Sequence, residues 1–403
     1  MNRRQFALTI LTEWLKTDRF IDHLLEKRFS DNPGLEETDK SWVQASLYGT
    51  LERFFAIRSI LDQVSKNRFK KNKKLIQAIL MLAVYELLFT ENQEYAIVNE
   101  YVKLCKLNKQ AYQVKIVNAL LRQVADQKET LLSEINQSTD LSVRFNIPIE
   151  LHQLLLDENK EADLLDWYRI LPGKRSIWLR HNRLKSTKEP VFERIDDFQS
   201  IKADLENGLI SIQDFAAGKV VEFMSPKAKS RILDYCGAPG SKSTYIAELT
   251  DDSAEIVATD VNPLRLEKIN QNINRLGLQS IQTKLTSELQ NDEQFDQVLC
   301  DIPCSGLGVI GKRKDLLLRF SEAKLSELSK LQIDILDEVS RFVKVNGQLI
   351  LSTCTILNQE NMGLAKRFLE SHLNFKIKGD PLELLPFSGE HDGAFAICLE
   401  RLS

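Results

Sequence analysis

The stretch RILDYCGAPGSKST, Arg231–Thr244, decides how the rest of the chain reads. Ile232 and Leu233 form a short apolar run that ends in Asp234. The small residues Cys236, Gly237, Ala238, Pro239 and Gly240 follow, and Ser241 and Lys242 open a helix-like segment. The pattern is a strand, a tight turn and a helix N-terminus. Glycines let backbone amides come close to a ligand, and the first N–H groups of a helix have no intrahelical partner. A glycine turn after a strand also occurs without any ligand, so its meaning rests on the neighbouring strands.

From about residue 219 strands alternate with helices. EIVATD ends at Asp260, a helix covers Leu264–Leu276, and a weak strand lies near Ile281. Asp296–Asp301 forms a fourth strand, a long helix covers about Ser321–Val343, and Gln348–Thr353 is the fifth strand. This alternation predicts a doubly wound α/β sheet. Ligands of such sheets lie at the carboxyl ends of the strands. There Asp234, Asp260, Asp301 with Cys304, and Cys354 converge. Asp260 stands about 20 residues beyond the turn, the place of an acid that accepts from ribose hydroxyls; a purely structural strand cap is the alternative. GAPGS is not GxGxxG, so a pyrophosphate cradle is poorly supported. S-adenosylmethionine, which has no phosphates, fits better.

Six cysteines are present and none forms a CxxC pair, so the sequence suggests neither a metal knuckle nor a disulfide framework. Cys300 and Cys398 read as small core hydrophobes. Cys304, in CDIPCSG, and Cys354, in LSTCT, each follow a strand and sit among small polar residues. Two such thiols suit cytosine chemistry. Carbon 5 of cytosine is too weak a nucleophile to take a methyl group unaided, whereas a thiolate added to carbon 6 converts the ring to an enamine that is not. That chemistry needs a lowered thiol pKa and a base turned out of its stack.

Residues 3 to about 128 read as helices throughout, with LIQAILMLAVYELL (Leu75–Leu88) apolar on most faces and hence central. KNRFKKNKK supplies Lys66, Arg68, Lys70, Lys71, Lys73 and Lys74, with Phe69 among them. It is either a solvated loop or a phosphate-contacting patch with an aromatic able to stack on a base. The order ASLYGTLERFFAIRSILD, ILMLAVYELLF, AIVNEYVKL and VKIVNALLRQV resembles the NusB-like RNA-binding domain. Residues 129–218 are mixed. Ser176–Leu184 reads as a strand carrying Arg180 and Arg183, either RNA contacts or a solvated face. WLRHNRLKST and ISIQDFAAG resemble the segments that precede the catalytic domain in the RsmB/Sun family of ribosomal RNA cytosine-5 methyltransferases.

ILDYCGAPGSK, ATDVNPLRL, DIPCSG with LGVIGKRKDL, and LSTCTILNQEN are similar to that family's catalytic motifs, and the likeness extends to the DGAFAICLERL ending. The resemblance implies three parts: a NusB-like helical bundle (1–128), a small α+β connecting subdomain (129–218) and a Rossmann-like class I methyltransferase domain (219–403). It implies Cys354 as nucleophile, Cys304 as the group that assists release of the RNA adduct, and Asp301 and Lys242 as hydrogen-bond partners of the cytosine. Cys236–Lys242, Asp260, Ser287 and Asp301 would hold S-adenosylmethionine. Ser241 replaces a usual glycine, Thr286 and Ser287 stand where an acid is usual, and Lys312-Arg313-Lys314 replaces an Arg-His-Pro segment. The expected substrate is small-subunit ribosomal RNA. Transfer RNA and a decayed, non-catalytic RNA-binding assembly factor are the alternatives. A DNA methyltransferase would leave Cys354 without a task.

The chain has 403 residues, 43% hydrophobic and 28% charged, with no apolar run near the ~20 residues of a membrane span. A cytoplasmic, monomeric protein without a metal or a membrane partner is expected. Net charge divides unevenly: 22 Lys+Arg face 18 Asp+Glu in residues 1–145, and 32 face 39 in the rest. The front of the chain is therefore the expected polyanion partner.

Overall fold

A computed structural model of the chain describes residues 2–172 and 177–403. Contacts divide the chain into two compact units, Met1–Gly173 with Lys312–Arg319, and Lys174–Gly311 with Phe320–Ser403. The stretch expected as a connecting subdomain is split between them. Its helices through Ile170 go with the first unit, and its strands with the second. Ser176, the expected start of one strand, lies outside the described residues.

The first unit is helical around Lys74–Phe89, whose Ile79, Leu82, Ala83 and Leu87 are fully buried. A helix apolar on most faces has to be surrounded. Gly49, on the helix Glu37–Glu52, permits the closest approach, because a Cβ there would sit 2.1 Å from the Tyr85 ring. The buried Glu86 carboxylate is held by Arg4 at 2.7 Å and by the Tyr101 hydroxyl at 2.5 Å.

Lys312–Arg319 belongs to this helical unit although it is flanked on both sides by the other one. Asp315 is fully buried, and its Oδ2 accepts from the Trp14 indole N–H and from the Ile21 amide, both at 2.8 Å. Lys314 pairs with Glu52, and the Arg319 guanidinium lies 4.4 Å from the Trp14 ring. Asp315→Ala leaves both donors buried without an acceptor. It should destabilise the helical unit by about 2 kcal/mol in urea unfolding, with Asp315→Asn, which keeps an acceptor oxygen, close to wild type.

The second unit carries two sheets. β1 (Ile177–His181), β2 (Phe192–Ile195) and β3 (Ile210–Ile212) form a small antiparallel sheet in the order β2-β1-β3. β4 (Arg231–Asp234), β5 (Glu255–Asp260), β6 (Ile281–Leu285), β7 (Phe295–Asp301), β8 (Val343–Thr353), β9 (Phe375–Ile377), β10 (Leu382–Leu384) and β11 (Ala394–Arg401) form the large one, in the order β10-β11-β8-β7-β4-β5-β6 with β9 beside β11. β4 to β8 pair in parallel, while β11 runs antiparallel to β8. Helices cover both faces. Phe215–Met224, Ser241–Leu249 and Pro263–Leu276 pack on one, and Glu322–Ser340 and Met362–Ser371 on the other. Central strands buried on both sides read as continuous apolar runs, which is why β4, β5 and β7 were legible.

The chain runs β4, β5, β6 outward in one direction and then returns to place β7 on the other side of β4. This reversal opens a crevice between the carboxyl ends of β4 and β7, where open sheets take their ligands.

Candidate active site

Four groups of side chains meet at that crevice. The first is the turn after β4. Gly237 donates its amide to Thr259 O at 2.8 Å, and Gly240 donates to Gly237 O at 2.7 Å. Gly240 has φ +97°, and a Cβ there would also press on Ile269, so this position needs glycine. The helix Ser241–Leu249 then starts without a side-chain cap. Asp234 is fully buried beneath the turn; its Oδ2 accepts from Ser243 Oγ at 2.5 Å, and its Oδ1 has no partner among the described residues. Burial pushes this carboxyl up to about 6, opposed in part by Ser243 and Lys242.

The second group is Asp260 at the end of β5. Its carboxylate accepts from the Asn262 amide at 2.9 Å and lies 3.1 Å from the Arg265 guanidinium, which is itself half exposed. Val261 and Leu264, directly beyond it, are nearly four-fifths exposed. Neither residue stands out in the local pattern of the chain. Ser287 is exposed in the short turn after β6, whose Leu285 is in register with Asp260.

Lys242 and Asp301 are the third group. The ammonium sits 2.5 Å from Asp301 Oδ2, while Ser352 Oγ, on the neighbouring β8, donates to Oδ1 at 2.7 Å. Burial works against the charge on Lys242, but Asp301, Asp234 and Cys354 outweigh it and hold its pKa above the ordinary lysine value. The contribution from Cys354 brings the third group together with the fourth.

That fourth group is the thiol pair. Cys304 Sγ lies 3.3 Å from Cys354 Sγ, and the Cys354 amide donates to Cys304 Sγ at the same distance. The hydrogen bond to Cys354, with burial second, pushes the Cys304 thiol well above its usual pKa. Both thiols are only partly buried. Cys236, on the first turn, hydrogen-bonds the buried Cys300 and so raises it, which fits the reading of Cys300 as a core residue.

The two cysteine loops are fastened together by groups to which the sequence reading gave no role. Glu360 is fully buried, and its carboxylate accepts from the Ser305 amide at 2.8 Å, from the Ser305 hydroxyl, and from Gln332 Nε2 at 2.9 Å. Gln332 also donates to Pro303 O, and Ser305 Oγ meets Thr355 Oγ1 at 2.8 Å. Gly308 donates to Cys354 O at 2.9 Å and accepts from the Gly393 amide at 2.8 Å. A Cβ on Gly308 would stand 2.7 Å from Cys354 O.

Two expectations are overturned. Arg180 is no RNA contact: its side chain is fully buried, with Glu248 Oε1 at 2.6 Å and Oε2 at 3.1 Å, further bonds to Gln213, Thr244 and Ser241 O, and the Tyr245 ring at 4.5 Å. A buried guanidinium whose donors are used inside has none left for phosphate. It holds the first turn of the Ser241–Leu249 helix instead. Arg183 is exposed. Phe69 is 1% exposed and so offers no ring to a base, while Lys66, Arg68, Lys70, Lys71, Lys73 and Lys74 are all at the surface of the helical unit.

Residues 221–389 match the family model of the 16S rRNA methyltransferase RsmB/F, and residues 1–126 match that of the NusB family. The ribosomal RNA small subunit methyltransferase B of Salmonella arizonae is 28% identical over 393 residues, covering 89% of this chain and 90% of that protein. The protein of the same name from Escherichia coli (strain K12) is 26% identical over 395 residues, covering 90% of each. The crystal structure of PH0851 superposes with a TM-score of 0.82 at 21% identity, over 100% of this chain and 99% of the other, a likeness of fold. Both matched segments carry the motifs described above, the first bearing the strand ends and both cysteines and the second the helical bundle. Residues 221–389 thus carry an RsmB/F-type 16S rRNA methyltransferase segment, and residues 1–126 a NusB-family domain.

Proposed function

We propose that the protein uses S-adenosylmethionine to methylate carbon 5 of a cytosine in small-subunit ribosomal RNA, through a covalent bond between Cys354 and carbon 6, in the cytoplasm. The observation that carries this reading is the 3.3 Å approach of Cys304 and Cys354 beside the Lys242–Asp301 pair.

The residues at the crevice fit the cofactor. The unpartnered Asp234 Oδ1 is a buried acceptor, Asp260 supplies a second carboxylate, and Val261 and Leu264 offer apolar surface next to it. Bound there, S-adenosylmethionine supplies an electrophilic methyl group on a sulfonium. Lys242 donates to, and Asp301 accepts from, polar atoms of the cytosine, which orients the ring. Cys354, its negative charge favoured by the neighbouring ammonium, adds to carbon 6, and the electron pair displaced to carbon 5 would take the methyl group as the methyl–sulfonium bond breaks, its electron pair staying on the cofactor sulfur. The Cys354 sulfur is then a neutral thioether, and the largest cause of the raised Cys304 pKa is gone. Cys304 releases its proton to water, and its thiolate takes the proton from carbon 5. The carbon 5–carbon 6 double bond re-forms as Cys354 leaves as a thiolate.

The test is incubation of the protein with isotopically methyl-labelled cofactor and unmodified 16S ribosomal RNA or transfer RNA, followed by nucleoside mass spectrometry. Label in 5-methylcytidine from the ribosomal RNA is expected. Label only from transfer RNA would replace the substrate, and absence of cofactor binding would replace the enzyme by an RNA-binding assembly factor.

A further inference from the structure

The helical unit presents a rigid group of cations that the proposed chemistry does not use. Lys66 to Lys74 links the helices Phe54–Val64 and Lys74–Phe89. Its six basic side chains are exposed, and among the described residues no acidic partner is seen for any of them. A solvated loop would be free to move, but this one is pinned at three points. Phe69 is buried in the core, Gln77 Nε2 donates to Lys70 O at 3.1 Å and Asn72 O at 2.8 Å, and Asn72 Nδ2 donates to Phe69 O at 3.1 Å. Fixed, uncompensated positive charge suits a polyanion, since displaced counterions rather than acidic side chains are what it gives up on binding.

An aromatic ring stands beside these cations, though not the one the sequence suggests. Tyr112, in the short turn Ala111–Gln113, is 62% exposed, and Lys73 Nζ lies 5.9 Å from its ring centroid. Its hydroxyl donates to Gln110 Oε1 at 2.7 Å, which restrains the ring at its edge and leaves a face open. Lys109 and Lys115, three residues to either side, are exposed as well. A single exposed tyrosine needs no explanation. An exposed, edge-restrained tyrosine in contact with a pinned cationic turn has the two parts of a single-strand site, a stacking face and phosphate partners.

We propose that Tyr112 is the base-stacking residue of a single-stranded RNA site on the helical unit, with the phosphates on either side of the stacked base met by the Lys66–Lys74 turn. This rests on the reading of RNA as substrate. Stacking on a π-face is sequence-tolerant, so the site holds an unpaired segment without choosing the target cytosine.

The experiment uses the full chain and a short fluorescent oligouridylate, with anisotropy read across a salt series. Tyr112→Ala should weaken binding about tenfold with the salt dependence unchanged, and Tyr112→Phe should bind as wild type. Lys70→Ala with Lys71→Ala should lower the slope of log affinity against log salt by about 1.4, roughly 0.7 per phosphate contact. All three positions are exposed, so folding is preserved. Wild-type affinity in Tyr112→Ala, or an equal loss in Tyr112→Phe, would overturn the proposal and leave the face to a protein partner. Failure of methyl transfer by the wild type, with Tyr112 still needed for RNA binding, would overturn the enzyme reading and leave this one standing.

Discussion

Cys304→Ala is expected to leave the RNA covalently attached to the protein, whereas Cys354→Ala yields neither product nor adduct. The two sulfurs lie 3.3 Å apart, and the position of each decides its task. Cys354 is the sulfur within range of the Lys242 ammonium, so its anion is the one stabilised. Removing it removes the only bond that activates carbon 5, a loss on the order of 10⁴-fold or more in turnover. The hydrogen bond to Cys354 holds the Cys304 thiol well above its usual pKa until that neighbour is consumed. Without it, addition and methyl transfer proceed, but the proton on carbon 5 has no nearby base and elimination stalls. A denaturing gel of each variant with cofactor and unmodified 16S ribosomal RNA reads the difference, because the stalled adduct travels as a slower band. The double variant should show no band. Full activity in Cys304→Ala, with merely slowed activity in Cys354→Ala, would refute the roles given to both sulfurs.

Glu360→Ala should lower turnover at least about 100-fold while cofactor affinity stays within about twofold of wild type. The Glu360 carboxylate gathers three donors from two segments, Ser305 on the Cys304 loop and Gln332 on the long helix, while standing on the Cys354 segment itself. Its removal leaves the Ser305 amide and one of the two Gln332 side-chain N–H groups without an acceptor, at a cost of about 3 kcal/mol of stability. The larger effect is geometric, because the sulfur–sulfur approach depends on both loops and a displacement of about 1 Å costs on the order of 100-fold. Glu360→Gln keeps the volume but turns an amide N–H toward other donors, so it should fall between the two. The cofactor turn at Gly237–Ser241 shares none of these bonds. Equilibrium cofactor binding and the rate of adduct formation in a Cys304→Ala background therefore separate misplacement from unfolding. A turnover loss that merely matches the unfolded fraction would reduce Glu360 to a structural residue.

Much of this site is written in local pattern. Asp234, Gly240, Asp260, Asp301, Cys304 and Cys354 were legible because each follows an apolar strand, and the strands of a doubly wound sheet must end on one rim. The helical front of the chain was legible for the same kind of reason: an apolar helix such as Lys74–Phe89 can exist in water only inside others.

What local pattern leaves open is the identity of partners far away along the chain. Arg180 reads as a charged strand residue until Glu248, 68 positions on, closes over it, and Phe69 reads as an exposed ring until the bundle core takes it in. Glu360 is one acid among many before Ser305, 55 positions earlier, donates to it, and Asp315 becomes part of the helical unit through Trp14, 301 positions away. The sequence alone determined which residues are apolar, where strands and helices alternate and which reactive groups end the strands, since these follow from neighbours two to four residues apart. Only the tertiary structure decided which charges are buried and paired and which remain exposed, because desolvation and hydrogen bonding depend on what the folded chain places against each group.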